Sequence, residues 1–338
     1  MRYQRVHIQA LEALVPPVVV RTTDIEEQLR PLYQRIGIPS GVIQSLTGVA
    51  ARRYWAPGRM PSEAAAEVAR LLIARHGVPG PGVQALVSTS VCKDYLEPPV
   101  ASLVAGDVGM STHCQNFDVG HACLGFMTGM MTVANMIELG QIECGLVVAG
   151  EGSQMVTEAT IQRLLKPGVD FRTFGENLPT LTLGSMAVAA LLVHEKHSTH
   201  GHQLLGGATR SATQHSRLCL GTATEMRTDA TTLLKEGVNL AGEVWEAAQE
   251  ELELSPANVK EYCLHQVGQA NHDSVTQRLR VMPNRAMRLY PQFGNCGAAG
   301  VPSTLAMAVQ EGRVQSGDTA MLMGIGSGLN STMLGVRW

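Results

Sequence analysis

The sequence has little excess of charge of either sign and few aromatic side chains. Its 338 residues include 26 basic and 29 acidic side chains, so the composition offers no electrostatic footprint for nucleic acid. Only 4% of the residues are aromatic, whereas glycine occurs 35 times and methionine 16 times, which favours a tightly packed α/β protein. The length allows one large or two medium domains with a buried core.

Long apolar runs are also missing. The first ten residues mix polar and apolar side chains, so no secretory signal is predicted there. The longest apolar run, 122–139, is interrupted by threonine, asparagine and glutamate, whereas a membrane span needs about 20 predominantly apolar residues. We therefore expect a buried core helix in this run and no membrane span.

Neither a disulfide framework nor a metal site is indicated. The seven cysteines are scattered, odd in number and without a C-x-x-C pair, a pattern typical of a reducing, cytoplasmic environment. Four histidines lie between 194 and 202, in a polar segment without an acidic or thiolate partner. We interpret that segment as a mobile loop and predict no metal.

What the sequence does contain is a cysteine at the start of a predicted helix. Cys123 precedes the helical pattern at 127–139. A thiol at a helix N-terminus faces unpaired N–H groups and the positive end of the dipole, which favour the nucleophilic thiolate. A buried, inert cysteine is the alternative. Two other segments favour the nucleophile: His265 follows the strand-like run 259–264, and Asn295 lies in a glycine-rich turn that opens another helix.

The two halves of the chain look like diverged copies of each other. The same number of residues separates Cys123 from Gly140 and Asn295 from Gly312. In both halves the helix is followed by an apolar strand and a glycine-rich turn. Strands rich in valine, leucine and alanine that alternate with helices predict parallel sheets covered on both faces.

This repetition divides the chain near 197–203. We predict an N-terminal half at 1–196, which carries the cysteine, and a C-terminal half at 203–338, which carries the histidine and the asparagine. The segment 164–181 contains proline, glycine and charged residues. We interpret it as an insertion that forms a cap.

The order and spacing of Cys123, His265 and Asn295 resemble the Cys-His-Asn triad of the ketoacyl synthase III branch of the thiolase superfamily. The similarity covers essentially the whole chain. Within this branch the chain is most similar to OleA-type enzymes, which join two fatty acyl-CoA chains head to head. The segments that carry this similarity are 51–55, 93–98 and 324–330. The resemblance implies a thiolase fold, with duplicated βαβαβαββ halves in a layered α-β-α-β-α sandwich.

The resemblance also implies roles for individual residues. Cys123 would carry the first acyl group as a thioester, with its own backbone N–H and that of Ser327 as the oxyanion hole. His265 and Asn295 would donate hydrogen bonds to the second acyl thioester as it gains enolate character. His265 could equally keep the cysteine ionised. Glu97, otherwise a solvated loop residue, would enter the partner subunit's site and remove an α-proton, which implies a homodimer.

Three residues in the segment 51–55 are candidates for binding the CoA nucleotide. Arg52 and Arg53 would pair with phosphate, and Trp55 would stack on adenine. A surface ion-pair cluster is the alternative interpretation. The resemblance implies no metal, flavin or redox cofactor, only CoA thioester substrates.

The function predicted in this way is an acyltransferase that condenses two long-chain acyl-CoA molecules. A non-decarboxylative Claisen reaction would yield a 2-alkyl-3-keto acid. One alternative is a stand-alone ketosynthase that couples two β-keto chains bound to acyl carrier protein, sometimes to an α-pyrone. Another is a malonyl-dependent 3-oxoacyl synthase III. A catalytically silent partner subunit is a third, and the intact set Cys123, His265, Asn295 and Glu97 argues against it.

Overall fold

The computed structural model describes residues 1–338, in which strands and helices alternate along the chain. The strands are β1 (Val6–Leu14), β2 (Val18–Arg21), β3 (Ala51–Tyr54), β4 (Ala85–Ser88), β5 (Gln115–Asp118), β6 (Cys144–Glu151), β7 (Met186–His194), β8 (Gln203–Ser211), β9 (Cys219–Gly221), β10 (Met226–Thr228), β11 (Val259–Leu264), β12 (Thr319–Gly326) and β13 (Asn330–Arg337). The helices are α1 (Thr22–Gln28), α2 (Arg30–Ile36), α3 (Val42–Thr47), α4 (Pro61–His76), α5 (Val100–Val108), α6 (Gly125–Glu138), α7 (Gln154–Leu164), α8 (Phe171–Asn177), α9 (Ala230–Leu252), α10 (Gln269–Leu279), α11 (Tyr290–Phe293) and α12 (Gly300–Gln310). None of these helices is both long and apolar enough to cross a membrane.

Nine strands form one mixed sheet in the order β11-β12-β13-β8-β1-β7-β6-β4-β5. The two halves of this sheet meet where β1 and β8 pair His7 with Gln203. The prediction of parallel sheets is right for β4 with β5 and β6, and for β11 with β12. It is wrong for β7 and β13, which pair antiparallel with their neighbours. In the case of β13 the reason is the short turn after β12, which can only join antiparallel strands.

Helices cover both halves of the sheet and also fill the space between them. In the central layer, α6 and α12 pack against β4 and β6 of the first half and against β12 and β13 of the second. On the outer faces, α4 and α5 cover the first half, and α9 and α10 cover the second. The predicted α-β-α-β-α layering of a thiolase fold is therefore confirmed.

The predicted internal repeat appears in the backbone geometry of the two central helices. A short 3-10 turn (Ala122–Leu124) precedes α6, and another (Gly297–Ala299) precedes α12. Just beyond each helix, Gly140 with φ 72° and Gly312 with φ 74° end it in the left-handed conformation. This conformation is nearly free of strain only for glycine, which explains why the two glycines recur at the same spacing.

A smaller apolar cluster joins α1, α2 and α3 to α7 and α8 on one side of the molecule. Tyr33 and Phe174 meet edge to face there, with ring centroids 5.7 Å apart. The segment 164–181, predicted to be a cap, supplies α8 and part of this cluster. The predicted boundary between the halves at 197–203 falls in the connection between β7 and β8, and the division itself stays a prediction.

Candidate active site

Cys123 lies in the 3-10 turn that connects β5 to α6. The preceding Ala122 has φ 46°, a sparsely populated conformation for a residue with a side chain. The Leu124 N–H donates to the His121 carbonyl at 3.0 Å and closes the turn. A Cβ at Gly125 would lie 2.5 Å from the Thr89 carbonyl oxygen, so a glycine is needed where α6 meets the end of β4. The predicted helix start at the cysteine is confirmed.

The protonation state of this cysteine differs from the expectation. Burial raises the pKa of the Cys123 thiol to about 12, and the carboxylate of Glu151 adds to the increase. A helix N-terminus stabilises a thiolate by one end of a dipole, whereas burial withdraws the whole thiolate from water. The expected thiolate is therefore wrong for the resting site, in which the thiol is neutral at pH 7.

His265 follows β11 and is held at the edge of the second half of the sheet. Its N–H donates to the Met323 carbonyl of β12 at 2.8 Å. The side chain is 7% exposed, and its Nδ1 has no hydrogen-bond partner. Burial lowers the pKa of His265 to about 4, so the imidazole is neutral at pH 7. A neutral imidazole retains one N–H donor but gives no positive charge to stabilise a thiolate.

Asn295 is fixed by backbone contacts to the residues before β7. Its N–H donates to the Thr182 carbonyl at 3.0 Å, and its carbonyl accepts from the Gly184 N–H at 2.8 Å. The side-chain Oδ1 accepts from the Gly297 N–H at 3.0 Å. The preceding Gly294 has φ 68°, and a Cβ there would lie 2.3 Å from the Thr182 oxygen. Because Oδ1 is engaged, the Nδ2 amide is the group left to donate to a ligand.

The elements that carry these residues converge at the centre of the fold. The 122–124 turn packs against the 297–299 turn and against the end of β12. A Cβ at Gly326 would lie 3.3 Å from the Leu124 nitrogen, so the glycine lets the two backbones approach closely. This contact puts Ser327, the next residue, beside the cysteine turn. The roles of its backbone N–H and that of Cys123 as an oxyanion hole stay predictions.

Glu97 does not join this cluster within its own chain. It is exposed in the loop between β4 and α5. Beside it Leu96 is 97% exposed and Tyr95 is 56% exposed. The start of the loop is anchored, since Lys93 pairs with Asp118 at 3.0 Å. A carboxylate presented in this way is available to another molecule.

The predicted CoA contacts at the start of the chain are corrected for two of the three residues. The Arg52 side chain is fully buried and donates to the Thr22 hydroxyl at 3.0 Å and the Leu181 carbonyl at 2.6 Å. Trp55 is also buried, and its Nε1 donates to the Glu151 carbonyl at 2.8 Å. Neither is presented to a nucleotide, so their prediction as CoA contacts is wrong. Arg53 is half-buried, with its guanidinium 5.9 Å from the centre of the Phe293 ring, and its role stays a prediction.

A buried carboxylate at the centre of the site escaped the sequence analysis. Glu151, the last residue of β6, accepts backbone hydrogen bonds from Val91, Cys92 and Ala298. The available signal was its position: a glutamate that ends an otherwise apolar strand. A charged residue there must either reach solvent or find buried donors.

A half-buried cysteine at a helix start, with a neutral histidine and an asparagine amide on adjoining loops, defines a thiolase-type condensing site. Family models agree with this class. Residues 117–164 match 3-oxoacyl-[acyl-carrier-protein (ACP)] synthase III, and residues 249–338 match its C-terminal domain.

Comparison with known proteins assigns the chain to a narrower family within this class. It is 39% identical to an acyl-CoA:acyl-CoA alkyltransferase of Shewanella oneidensis and 38% identical to one of Xanthomonas campestris, over 100% of each chain. Cerulenin-bound Xanthomonas campestris OleA superposes with a TM-score of 0.97 at 37% identity, over 100% of this chain and 98% of that one. An OleA variant with lauric acid and lauroyl-CoA gives a TM-score of 0.96 at 36% identity, over 99% and 100%. The chain therefore belongs to the acyl-CoA:acyl-CoA alkyltransferase family, acyl-condensing enzymes of the OleA type.

Proposed function

We propose that this enzyme joins two long-chain acyl-CoA molecules by a non-decarboxylative Claisen condensation. The Cys123 sulfur attacks the first acyl-CoA, forms a thioester and releases free CoA. The second acyl-CoA then loses an α-proton, and its α-carbon forms a bond to the carbonyl carbon of the enzyme thioester. The cysteine leaves as thiol once it regains a proton, and hydrolysis of the remaining CoA thioester gives a 2-alkyl-3-keto acid. No electrons are gained or lost, so the reaction balances without a redox cofactor or a metal.

The neutral state of both partners shapes the first step. With a thiol pKa of about 12 and an imidazole pKa of about 4, the resting pair carries no charge. A preformed thiolate–imidazolium pair is therefore disfavoured, and the thiol proton is transferred to the departing CoA sulfur as the acyl group moves to Cys123. This supports His265 as an N–H donor rather than as a positive charge beside the cysteine. Together with the amide of Asn295, it would stabilise the enolate oxygen of the second acyl-CoA.

Glu97 is proposed as the base that removes the α-proton, acting in the partner subunit of a homodimer. Its loop points into solvent and presents two apolar side chains, Tyr95 and Leu96, beside the carboxylate. Exposed apolar residues of this size are typical of surfaces that bind another protein. Burial of the loop against a second subunit would also withdraw the carboxylate from water and place it beside the bound acyl-CoA.

The observation that carries the proposal is the placement of Cys123 at the start of α6, beside the turns that bear Asn295 and Ser327. Intact-protein mass spectrometry tests it. Incubation with a long-chain acyl-CoA is expected to add one acyl group to the wild-type chain and none to Cys123→Ala.

The same incubation, analysed for products, separates the candidate reactions. Acyl-CoA alone should yield a 2-alkyl-3-keto acid or the ketone formed from it by loss of CO₂. A requirement for malonyl thioesters would assign the chain to decarboxylative synthases instead. A requirement for β-keto chains on acyl carrier protein would assign it to the ketosynthases of the α-pyrone type.

A further inference from the structure

Glu151 is an unusually placed carboxylate. The residue is 2% exposed and forms no ion pair with any lysine, arginine or histidine. Its Oε1 accepts from the Val91 N–H at 2.9 Å and the Ala298 N–H at 3.2 Å, and its Oε2 accepts from the Cys92 N–H at 3.1 Å. A buried carboxylate without a cation is costly, so these three backbone donors are what makes it tolerable.

The three donors belong to two loops that carry different parts of the site. Val91 and Cys92 begin the loop that leads to Glu97. Ala298 lies three residues after Asn295, in the 297–299 turn that packs against the cysteine turn. A Cβ at Gly297 would lie 3.1 Å from the carboxyl carbon, so the turn closes tightly over the carboxylate. One side chain of the first half therefore joins the loop of the proposed base to the turn of the proposed enolate donor.

We propose that Glu151 is a positioning residue for carbon–carbon bond formation, which fixes the Glu97 loop and the Asn295 turn relative to each other. This inference rests on the proposed function, because it assigns both loops to the second step of the reaction. Acylation of Cys123 by the first acyl-CoA does not require either loop to be in the position needed for carbon–carbon bond formation. Coupling needs both, because each site of the proposed dimer takes its enolate donor from its own chain and its base from the partner subunit, and loss of Glu151 disturbs both loops in both chains.

Glu151→Gln is the direct test. The substitution keeps the size of the side chain but puts an NH₂ group against backbone N–H donors, so at least one of the three hydrogen bonds is lost. We expect loading of Cys123, measured by mass spectrometry, within about threefold of wild type. We expect the rate of coupling to fall about tenfold or more, the loss typical of a hydrogen bond to a charged group.

A second readout separates positioning from a loss of folded protein. Burial raises the pKa of Cys123 and the carboxylate of Glu151 adds to that increase. Burial also raises the pKa of Glu151 itself, and its three backbone N–H donors oppose this by stabilising the ionised form. Removing the charge should therefore move the midpoint of the pH profile for Cys123 alkylation by iodoacetamide downward. Glu151→Asp keeps the charge but shortens the reach, so it should impair coupling while the alkylation midpoint stays higher than in Glu151→Gln.

Glu26 provides a matched control. It is a buried carboxylate of α1 that accepts from the Gly41 N–H at 2.7 Å and the Ile43 N–H at 2.8 Å, and its contacts lie in α1 and α3. Glu26→Gln should lower the melting temperature by an amount comparable to Glu151→Gln. Its coupling-to-loading ratio and its alkylation midpoint should equal those of wild type.

Three results would overturn the inference. Coupling by Glu151→Gln within threefold of wild type is one, and an equal fall of loading and coupling is another. A shift of the coupling-to-loading ratio in Glu26→Gln as large as in Glu151→Gln is the third. Failure of the proposed function is recognised separately, because the wild-type enzyme would then form no coupled product. The alkylation profiles would still show whether Glu151 acts on the cysteine.

Discussion

Cys123 and Asn295 lie the same number of residues before Gly140 and Gly312, the glycines that end the two central helices, and each directly follows a residue with positive φ. The preceding residues are Ala122, with φ 46°, and Gly294, with φ 68°. Cys123 lies within the 3-10 turn that leads into α6, and Asn295 lies two residues before the 3-10 turn that leads into α12. One copy of the repeated unit thus carries the proposed nucleophile and the other carries the proposed amide donor. The packing of the two turns brings these two residues together.

Substitution of Gly294 and of Ala122, the two residues with positive φ, should change the stability of the fold to different extents. Gly294→Ala puts a Cβ 2.3 Å from the Thr182 oxygen and forces an unfavourable φ, so a loss of about 2 kcal/mol or more is expected. Ala122→Gly relieves strain while it adds freedom to the unfolded chain, so the two effects offset each other to within about 1 kcal/mol. Melting temperatures measure both. An equal fall in the two variants would contradict the assignment of strain to Ala122.

The roles of His265 and Asn295 can be separated from that of the nucleophile. Both are expected to act after acylation, so His265→Ala and Asn295→Ala should still load Cys123. Their coupling rates should fall on the order of 10²–10³, the effect of removing one oxyanion donor. Quenched time courses that follow acyl-enzyme and product measure both steps. Equal losses in loading and coupling would instead assign the two residues to activation of the thiol.

The sequence was sufficient for the fold and for the paired positions of Cys123 and Asn295, because the internal repeat relates these two residues. Cys123 and Asn295 lie at equal distances from Gly140 and Gly312, glycines that end the helices in the left-handed conformation. The ends of strands follow less directly from the sequence, since β12 extends to Gly326, beyond the continuous apolar residues 320–323. The pattern of apolar residues shows which segments are strands. Where a strand ends depends on how far it pairs with the neighbouring strand.

Burial of polar side chains is what the sequence could not show. Arg52 looked like a ligand for phosphate, yet it is enclosed by Thr22 and Leu181. Glu151 looked like part of a turn, yet it lies at the centre of the site. The thiolate predicted for Cys123 failed for the same reason, since a helix start is visible in sequence and the loss of solvent is not. In each case the deciding contacts come from segments distant in the chain.

The buried His265 should make the fold sensitive to mild acid. Its folded pKa of about 4 lies below the ordinary value of 6.5, so the unfolded chain binds more protons between these values. Stability therefore falls as the pH drops through 6.5 towards 4, by about 2 kcal/mol between pH 7.5 and pH 5 for this group alone. Denaturant midpoints of wild type and His265→Gln at the two pH values measure it. The variant should lose less stability on acidification, and an equal loss would place the sensitivity elsewhere.

Glu97→Gln tests the proposed base. The amide keeps the shape and the hydrogen-bonding capacity of the side chain but cannot accept the α-proton. The variant should therefore load Cys123 and fail to couple. It should also fail to exchange α-deuterium from the second acyl-CoA into water, because that exchange needs proton removal without bond formation. Mass spectrometry of the enzyme and of recovered acyl-CoA measures all three steps. Coupling by Glu97→Gln at the wild-type rate would leave Glu97 without a role in the reaction.

Whether Glu97 acts across a subunit boundary is decided by mixing two inactive enzymes. Glu97 lies in an exposed loop, and we propose that it supplies the base to the cysteine of a neighbouring subunit. In a heterodimer of Cys123→Ala and Glu97→Gln, one of the two sites combines an intact cysteine with an intact glutamate from the partner. Subunit exchange should thus restore coupling towards half the wild-type rate per heterodimer, whereas Cys123→Ala mixed with a Cys123→Ala/Glu97→Gln double variant should stay inactive. If the glutamate served its own chain's cysteine, each heterodimer site would lack one of the two groups, and mixing would restore nothing.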